Sequence, residues 1–306
     1  MEPLVSSLVA EVSKVVLGKE LQVKMALACL FSQGHLLIED QPGMGKTTLA
    51  QSLARVLGLQ YARVQFTSDL LPADIIGVSV FDQQNTRFEF HPGPIFTQLL
   101  LADEINRTSP KTQSALLEAM EERQVTIDGE TRILPQPFFV IATQNPSSQD
   151  GTFPLPESQL DRFLMRICLG YPDPGVERQL LAGVDPRAKL DSLRCRIKPQ
   201  QLAAIVEAAN KVQASPALLD YVQRLIQYTR TSAEFAFGIS TRGALSLMRC
   251  ARTWALMHGR SHLVPEDIQT LLPAVVGHRV RDFADYTGQS GLALVERALE
   301  NVEVIG

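Results

Sequence analysis

Residues 36–57 constrain the fold more than any other part of the chain. A short apolar run at 36–39 is followed by a loop with the sequence PGMGKT at 42–47. The next segment, 47–57, repeats its apolar residues on one helical face. A strand, a glycine-rich loop and an amphipathic helix in this order are the setting that a phosphate-binding loop requires. The segment therefore predicts an α/β fold with this loop at the end of a buried strand.

The residue types in the loop suit the binding of a nucleoside triphosphate with Mg²⁺. Gly43 and Gly45 let the backbone approach the phosphates closely. Lys46 supplies a positive charge to the β and γ phosphates, and the Thr47 hydroxyl can ligate Mg²⁺. The general pattern, GxxxxGK followed by Ser or Thr, fails at its first position, which is Asp40. A glycine-rich turn that precedes a lysine by chance is the alternative, but the strand and helix in register favour the phosphate loop.

Polar side chains end two further apolar runs. Asp103 and Glu104 directly follow the run at 99–102, and Asn145 follows the run at 138–142. We expect Asp103 to hold Mg²⁺ through water and Glu104 to accept a proton from the water that attacks the γ-phosphate. The amide of Asn145 can position that water, although asparagine before proline is also a common turn. A solvated strand end is the alternative explanation of the two acids.

The type of element changes near residues 172–175. Before this point, apolar runs that predict buried parallel strands alternate with helical patterns; these runs lie at 36–39, 62–66, 99–102, 138–142 and 164–169. After it, the pattern is helical, at 201–212, 216–229, 241–258 and 265–272. The sequence predicts an α/β domain over residues 1–173 and an all-α domain over residues 174–306.

Two stretches within the first domain have the pattern of β-hairpins. In the segment 76–93, apolar alternation at 78–81 and 87–90 flanks a polar turn. In the segment 124–134, the pair Asp128-Gly129 separates two short alternating runs. Both hairpins are expected to project from the edge of the sheet. Ordinary surface hairpins without a function are the alternative.

Composition excludes several classes of protein. The 29 basic and 33 acidic side chains leave a net charge of −4, which disfavours a surface built mainly for nucleic acid. No apolar run reaches the roughly 18 residues that cross a membrane. The first residues lack the basic segment of a secretory signal, and the four cysteines lack CxxC spacing. We expect a cytoplasmic protein with reduced thiols and no membrane insertion.

In chain order, the segments PGMGKT, LLLADEINR, ATQNP, LDRF and STRGA resemble an AAA+ ATPase of the MoxR family. The linking segments FTSDLLPADIIG, FEFHPGPIF and FPLPESQLDRF are also similar to MoxR signatures, so the resemblance covers nearly the whole chain. It implies a P-loop NTPase AAA+ module, with a parallel sheet of strand order 5-1-4-3-2 between helices, and an all-α lid domain. ATP then lies between the two, usually at the interfaces of a hexameric ring. MoxR-like sequences tolerate an acidic residue at the position of Asp40.

The same resemblance assigns roles to individual residues. Walker A includes Lys46 and Thr47, Walker B is Asp103 and Glu104, and sensor 1 is Asn145. By similarity, adenine contacts the backbone of the loop at 15–18. The residues expected to contact ATP are Val16, Gly18, Pro42, Gly43, Met44, Gly45, Lys46, Thr47, Thr48 and Arg242. Those expected in catalysis are Lys46, Glu104, Asn145 and Arg162, and those expected at Mg²⁺ are Thr47 and Asp103.

Two arginines resemble family residues that act on the γ-phosphate. Arg162, in LDRF, resembles the finger that reaches the nucleotide of a neighbouring subunit; Arg107 and Arg166 are rival candidates, and pairing with a surface acid is the alternative. Arg242 lies in the first turn of a predicted helix, where the helix dipole disfavours a cation unless an anion is bound. It matches sensor 2, which the lid contributes to the nucleotide of its own chain.

The resemblance implies a motor that converts ATP hydrolysis into remodelling or maturation of a protein client. Family members commonly act with von Willebrand factor A domain proteins, and the two hairpins match inserts that face the pore or the partner. Two alternatives stay open. One is a DNA-directed AAA+ motor, which the net charge disfavours, and the other is a nucleotide-gated scaffold with little turnover, which intact Glu104 and Asn145 disfavour.

Overall fold

The computed structural model of the chain describes residues 1–145, 151–283 and 290–304, so Pro146 of the asparagine-proline pair lies outside the described residues. Within these ranges the strands are β1 (Leu36–Glu39), β2 (Tyr61–Gln65), β3 (Gly77–Asp82), β4 (Arg87–Pro92), β5 (Leu99–Asp103), β6 (Gln124–Ile127), β7 (Glu130–Ile133), β8 (Phe139–Gln144) and β9 (Met165–Ile167). The helices are α1 (Glu2–Val12), α2 (Glu20–Phe31), α3 (Lys46–Val56), α4 (Pro72–Ile76), α5 (Pro110–Glu122), α6 (Glu157–Leu160), α7 (Pro174–Leu181), α8 (Pro199–Asn210), α9 (Pro216–Thr231), α10 (Thr241–Met257), α11 (Pro265–Val276) and α12 (Gly291–Asn301).

The central element is a parallel sheet in the order β2-β5-β8-β1-β9. When its strands are numbered along the chain, this order is 5-1-4-3-2, which confirms the expected topology. The strands are apolar because helices cover both faces of the sheet. In β5, Leu99 and Leu101 pack into the hydrophobic cluster around α3, whereas Leu100 and Ala102 pack into the cluster around α5. The predicted strands are all present, and their ends differ from the prediction by at most two residues.

Because the strands are parallel, each edge of the sheet collects a different set of loops. The phosphate loop follows β1, the acidic pair ends β5, and Asn145 follows β8, so all three meet at the carboxyl edge. His35, before β1, and residues 161–164, before β9, lie at the opposite, amino edge. The sheet therefore separates two candidate regions of function.

Both predicted hairpins are present, and each forms a separate two-stranded antiparallel sheet. In the first hairpin, β3 pairs with β4 from Gly77 opposite Pro92 to Asp82 opposite Arg87. The second hairpin, β6 with β7, turns at residues 128–129. The guanidinium of Arg132 lies 4.1 Å from the centre of the Phe90 ring, so the two hairpins contact each other.

The described residues after β9 form helices and loops, apart from two isolated β-bridges, which confirms the expected all-α lid. Its helix α10 packs on α2, where the Ser32 hydroxyl donates a hydrogen bond to Thr253 Oγ1 over 2.8 Å. One hydrophobic cluster runs from α1 and α2 into α8–α12. We propose that the two domains meet at residue 173, where strands give way to helices. The apolar core continues across this boundary. No helix in the described ranges is both long and apolar enough to span a membrane.

Candidate functional site

The phosphate loop has the backbone that close approach to an anion requires. Gly43 and Gly45 have φ of 86° and 88°, in the left-handed region that favours glycine. A Cβ atom at either position would meet no atom within 4 Å, so the space beside both glycines is open. Gly45 is the N-cap of α3, and the free N–H groups of the first helical turn accompany the loop. This arrangement suits phosphate groups.

Lys46 is buried and points across the carboxyl edge. Its Nζ donates to the backbone oxygen of Asp40 and, over 2.9 Å, to Oδ1 of Asn145. Burial lowers the pKa of the Lys46 ammonium, while the charges of Asp40, Asp103 and Glu104 act to raise it. A phosphate anion at this loop would add a further opposite charge, which favours the charged form of Lys46.

Thr47 and Asp103 supply oxygen atoms of the kind that Mg²⁺ prefers. Oδ1 of Asp103 accepts a hydrogen bond of 2.6 Å from the Thr143 hydroxyl, which fixes the carboxylate. Its Oδ2 faces the Thr47 hydroxyl at 3.5 Å and also accepts two hydrogen bonds from Arg63. The donor set and the open glycine loop therefore fit a nucleotide with Mg²⁺.

Glu104 leaves the strand in an unusual conformation. Its φ of 58° and ψ of 50° lie in the left-handed region, which is uncommon for a residue other than glycine and is found at functional sites. Its N–H donates to Thr143 Oγ1 over 2.9 Å. Its carboxylate accepts from Gln65 over 2.9 Å, from Arg107 over 3.0 Å and from Asn145 over 3.4 Å. The carboxyl edge thus brings the predicted Walker A, Walker B and sensor 1 residues together.

Asp40, which breaks the general loop pattern, has a structural task. Its Oδ2 accepts hydrogen bonds of 2.6 Å from the N–H groups of Leu169 and Gly170, and its Oδ1 accepts one of 2.9 Å from Gln41 N. The carboxylate therefore ties the phosphate loop to the chain that follows β9. A glycine at this position would have no side chain for these contacts.

The predicted adenine loop lies against the same segment of chain. Val16 is buried. A Cβ on Gly18 would lie 3.1 Å from Val176 Cγ2 at the start of α7, and Lys19 Nζ donates to the backbone oxygen of Tyr171 over 2.6 Å. Thr48 is buried in α3. Contact of these residues with ATP stays a prediction.

Arg162 and Arg242 lie together at the amino edge. They share Glu121, whose Oε2 is 3.3 Å from Arg162 Nε and whose Oε1 is 2.9 Å from Arg242 Nη2. Arg242 Nε is also 3.9 Å from Asp161 Oδ2. Both arginines line a cavity of about 560 Å³, which in the described part of the chain is also lined by Arg123, Arg249 and Arg279. The cavity is therefore rich in positive charge.

Arg242 lies away from the phosphate loop of its own chain, and its role as sensor 2 stays a prediction. The cavity is at the amino end of β1, next to His35, whereas the phosphate loop follows the carboxyl end of β1. The four residues of this strand span about 13 Å at the usual rise. Packing of α10 on α2 places Arg242 beside Arg162 and not beside the phosphate loop of the same chain.

The rival finger residues occupy other places. Arg166, in β9, is only 15% exposed and pairs with Glu39 over 2.9 Å. Arg107 pairs with Glu104 over 3.0 Å, at the site of its own chain. Arg162 is 29% exposed and lies at the edge opposite the phosphate loop. Its role as a finger remains a prediction.

Some residues at the carboxyl edge are absent from the sequence prediction. Arg63 and Gln65, in β2, contact Asp103 and Glu104, and Thr143 contacts both acids. The available signal is the pair of long polar side chains at alternate positions of β2, which places them on one face of an otherwise apolar sheet.

Comparisons with known proteins agree with this geometry. A family model described as the ATPase family associated with various cellular activities (AAA) matches residues 35–165. A model of the AAA lid domain matches residues 227–298. Together with the strand order and the phosphate loop, these matches define an AAA ATPase module with its lid.

Relatives narrow this class further. Chaperone MoxR1 of Mycobacterium tuberculosis is 41% identical in an alignment that covers 88% of this chain and 74% of the relative. Protein MoxR of Paracoccus denitrificans is 34% identical, with 89% of this chain and 86% of the relative covered. A crystal structure of a protein from Cytophaga hutchinsonii has a TM-score of 0.87 and 35% identity, covering 99% of this chain and 95% of its own. The chain belongs to the MoxR family of AAA+ ATPases.

Proposed function

We propose that this chain binds Mg-ATP at the carboxyl edge, hydrolyses it, and uses the energy to remodel or mature a protein client. The observation that carries the proposal is the convergence of Lys46, Asn145 and Glu104, in which Asn145 lies 2.9 Å from the lysine and 3.4 Å from the glutamate. A phosphate-binding cation, a polar positioning group and a carboxylate base are the parts that ATP hydrolysis requires. The name of the relative Chaperone MoxR1 supports a protein client.

Each residue at this edge has a distinct task in the proposed reaction. The N–H groups of the glycine loop and Lys46 bind the phosphates, while Thr47 and Asp103 hold Mg²⁺. Bound Mg²⁺ neutralises charge on the phosphates. Asn145 orients a water molecule, and Glu104 accepts a proton from it as its oxygen attacks the γ-phosphorus. The γ-phosphoryl group then passes to that oxygen, and ADP leaves.

We further propose that a neighbouring subunit completes the site. Arg162 and Arg242 lie at the amino edge, about one strand length from the phosphate loop of their own chain. In a closed ring the amino edge of one subunit faces the carboxyl edge of the next, so both arginines act there on the developing phosphate charge. The proposed assembly is a homo-oligomeric ring, hexameric as is usual for AAA+ proteins.

The hairpins are the proposed contact with a client or a von Willebrand factor A domain partner. Val80 and Phe88 are 48% and 72% exposed on the first hairpin, and Ile133 is 72% exposed on the second. Exposed apolar side chains on projecting elements commonly mark protein interaction sites. The net charge of −4 favours a protein partner over DNA. We propose that the protein acts on its client in the cytoplasm.

Mixing two defective subunits tests the proposal. Glu104→Gln should still bind ATP but lose at least about 100-fold in phosphate release, because the general base is gone. Arg162→Ala should bind ATP normally but hydrolyse it about 1,000-fold more slowly than the wild type, if the arginine supplies the full effect of a finger. A mixture should recover activity, because some interfaces then pair an intact Glu104 with an intact Arg162.

Lys46→Ala is the control for lost binding and should not recover when it is mixed with Glu104→Gln, because every site in that mixture lacks either Lys46 or Glu104. Absence of recovery at every ratio of Arg162→Ala to Glu104→Gln would contradict the shared site. Equal loss of ATP binding in all three variants would contradict the division of tasks.

A further inference from the structure

Arg63 reaches the carboxylate that is proposed to hold Mg²⁺. In the register of β2 with β5, Gln65 is opposite Asp103, so Arg63, two residues earlier, projects from the same face. Its Nη2 lies 2.7 Å and its Nε 3.1 Å from a single atom, Oδ2 of Asp103. The arginine side chain is 46% exposed and the aspartate side chain 10% exposed. This is a charge-assisted contact to a carboxylate that is largely buried.

The contact occupies the oxygen atom that a metal would need. Oδ1 of Asp103 is already held by the Thr143 hydroxyl over 2.6 Å. Oδ2 is the atom that faces the Thr47 hydroxyl, the other proposed ligand, at 3.5 Å. Arg63 and a hydrated divalent cation would therefore bind the same oxygen atom of Asp103 and neutralise the same negative charge.

We infer that Arg63 neutralises Asp103 in place of Mg²⁺, and that the exchange of this cation for the metal sets how strongly nucleotide binding depends on Mg²⁺. This inference rests on the proposed function. Without any cation at Asp103, its charge would repel the phosphates next to it. Arg63 removes that repulsion at low Mg²⁺, but it also makes Mg²⁺ compete for the carboxylate.

A second hydrogen bond connects this exchange to the proposed general base. Arg63 Nη2 donates to Gln65 Oε1 over 3.0 Å, and Gln65 Nε2 donates to Glu104 Oε2 over 2.9 Å. When Arg63 leaves Asp103, Gln65 loses the partner that orients its amide, and the hold of Gln65 on Glu104 weakens. Arg63 is thus a positioning residue, because it acts on Glu104 through another side chain.

The test is a titration of a fluorescent ADP analogue at Mg²⁺ concentrations from EDTA to excess. The variants are Arg63→Gln and a matched control, Arg55→Gln. Arg55 is 42% exposed and also pairs with one carboxylate, that of Asp191, at the far end of α3. In EDTA, Arg63→Gln should bind the analogue about three- to tenfold more weakly than the wild type, and the Mg²⁺ concentration for half-maximal binding should fall by a similar factor. Arg55→Gln should change neither value.

Each outcome of this titration has a meaning. If Arg63→Gln and the wild type give superimposable Mg²⁺ curves, Arg63 does not compete with the metal and the inference is wrong. If the wild type binds no analogue even in excess Mg²⁺, the proposed function itself fails. If Arg63→Gln does not fold, as circular dichroism would show, Arg63→Lys replaces it. Lysine keeps the charge but not the fork of donors, so both values should shift in the same direction by a smaller factor; the opposite direction overturns the inference.

Discussion

The general pattern of the phosphate loop has a glycine at the position of Asp40. Here a carboxylate that accepts hydrogen bonds replaces the conformational freedom of that glycine. The phosphate loop departs from the general pattern at this residue, and its carboxylate holds three backbone N–H groups. The loop is therefore fastened to the chain after β9, which itself leads to the lid. These hydrogen bonds join the proposed nucleotide site to the start of the helical part of the molecule.

Asp40→Ala should lower the free energy of unfolding by about 2 to 4 kcal/mol, because the buried N–H group of Leu169 and the half-buried N–H group of Gly170 lose their acceptor. Urea unfolding followed by circular dichroism measures this change. Asp40→Asn is the control, since its amide oxygen can still accept from these groups, and it should lose less. A loss below about 0.5 kcal/mol for Asp40→Ala would show that the tether is not structural.

The site was predictable where position follows from strand order. Asp103 ends a parallel strand, Glu104 and Asn145 directly follow one, and Lys46 follows the loop after β1, so their meeting at one edge follows from the sequence alone. Contacts between side chains on neighbouring strands depend on register, which the apolar runs do not specify. The contact of Arg63 with Asp103 therefore needed the structure.

At the scale of elements, helix α1 is joined to the segment before α8 by one buried acid. Glu11 accepts hydrogen bonds from Lys14 Nζ over 2.8 Å, from Arg194 N over 3.1 Å and from Arg196 Nε over 3.0 Å. Burial acts to raise the pKa of Glu11, but together these hydrogen bonds outweigh it and lower the pKa to about 2. The ionised form is therefore the one that the fold stabilises.

This pKa predicts a pH dependence of stability. Because the folded value of about 2 lies below the ordinary value of 4.5, Glu11 stabilises the fold fully above pH 4.5 and loses this effect as the pH falls toward 2. The difference in unfolding free energy between the wild type and Glu11→Gln should therefore shrink over this range. Urea midpoints of both proteins at neutral and acidic pH measure it. A difference that is constant with pH would exclude the ionised contact as its source.

Secondary structure was predictable from sequence where apolar residues recur with a regular period or where a capping residue precedes a helix. Ser109, Ser215 and Ser240 each precede a helix and accept a hydrogen bond from its first turn, as capping residues do. Helix α2 lacks such a signal, because most of its residues are buried and it has no polar face. Its burial between the sheet and α10 is a tertiary effect that the sequence pattern does not contain.

At the scale of the whole molecule, the change from strands to helices is not an energetic boundary. The largest hydrophobic cluster includes residues of α1, α2 and α3 together with residues of α8–α12. This shared packing also explains why the position of Arg242 at the amino edge could not be predicted from sequence. The position of α10 follows from contacts with α2, more than 200 residues earlier, and no local pattern specifies such a contact.

The continuous core predicts one cooperative unfolding transition. Trp254 is the single tryptophan and lies buried in α10, so its fluorescence reports on the lid, whereas far-ultraviolet circular dichroism reports on all elements. The two signals should change at the same urea concentration. Thr253→Val, which removes the hydroxyl that accepts from Ser32, should lower both midpoints together. A fluorescence midpoint separate from that of circular dichroism would show that the lid unfolds as an independent unit.

The shared partner of Arg162 and Arg242 has a consequence for the ionic strength at which the proposed ring would form. Glu121 already forms an ion pair with each arginine in the single chain. If assembly moves these arginines onto a neighbour's phosphates, ion pairs within the chain are exchanged for ion pairs between chains, and few new ones are created. Added salt then weakens both states to a similar extent. Assembly at this edge is therefore expected to tolerate salt better than the charge of its cavity would suggest.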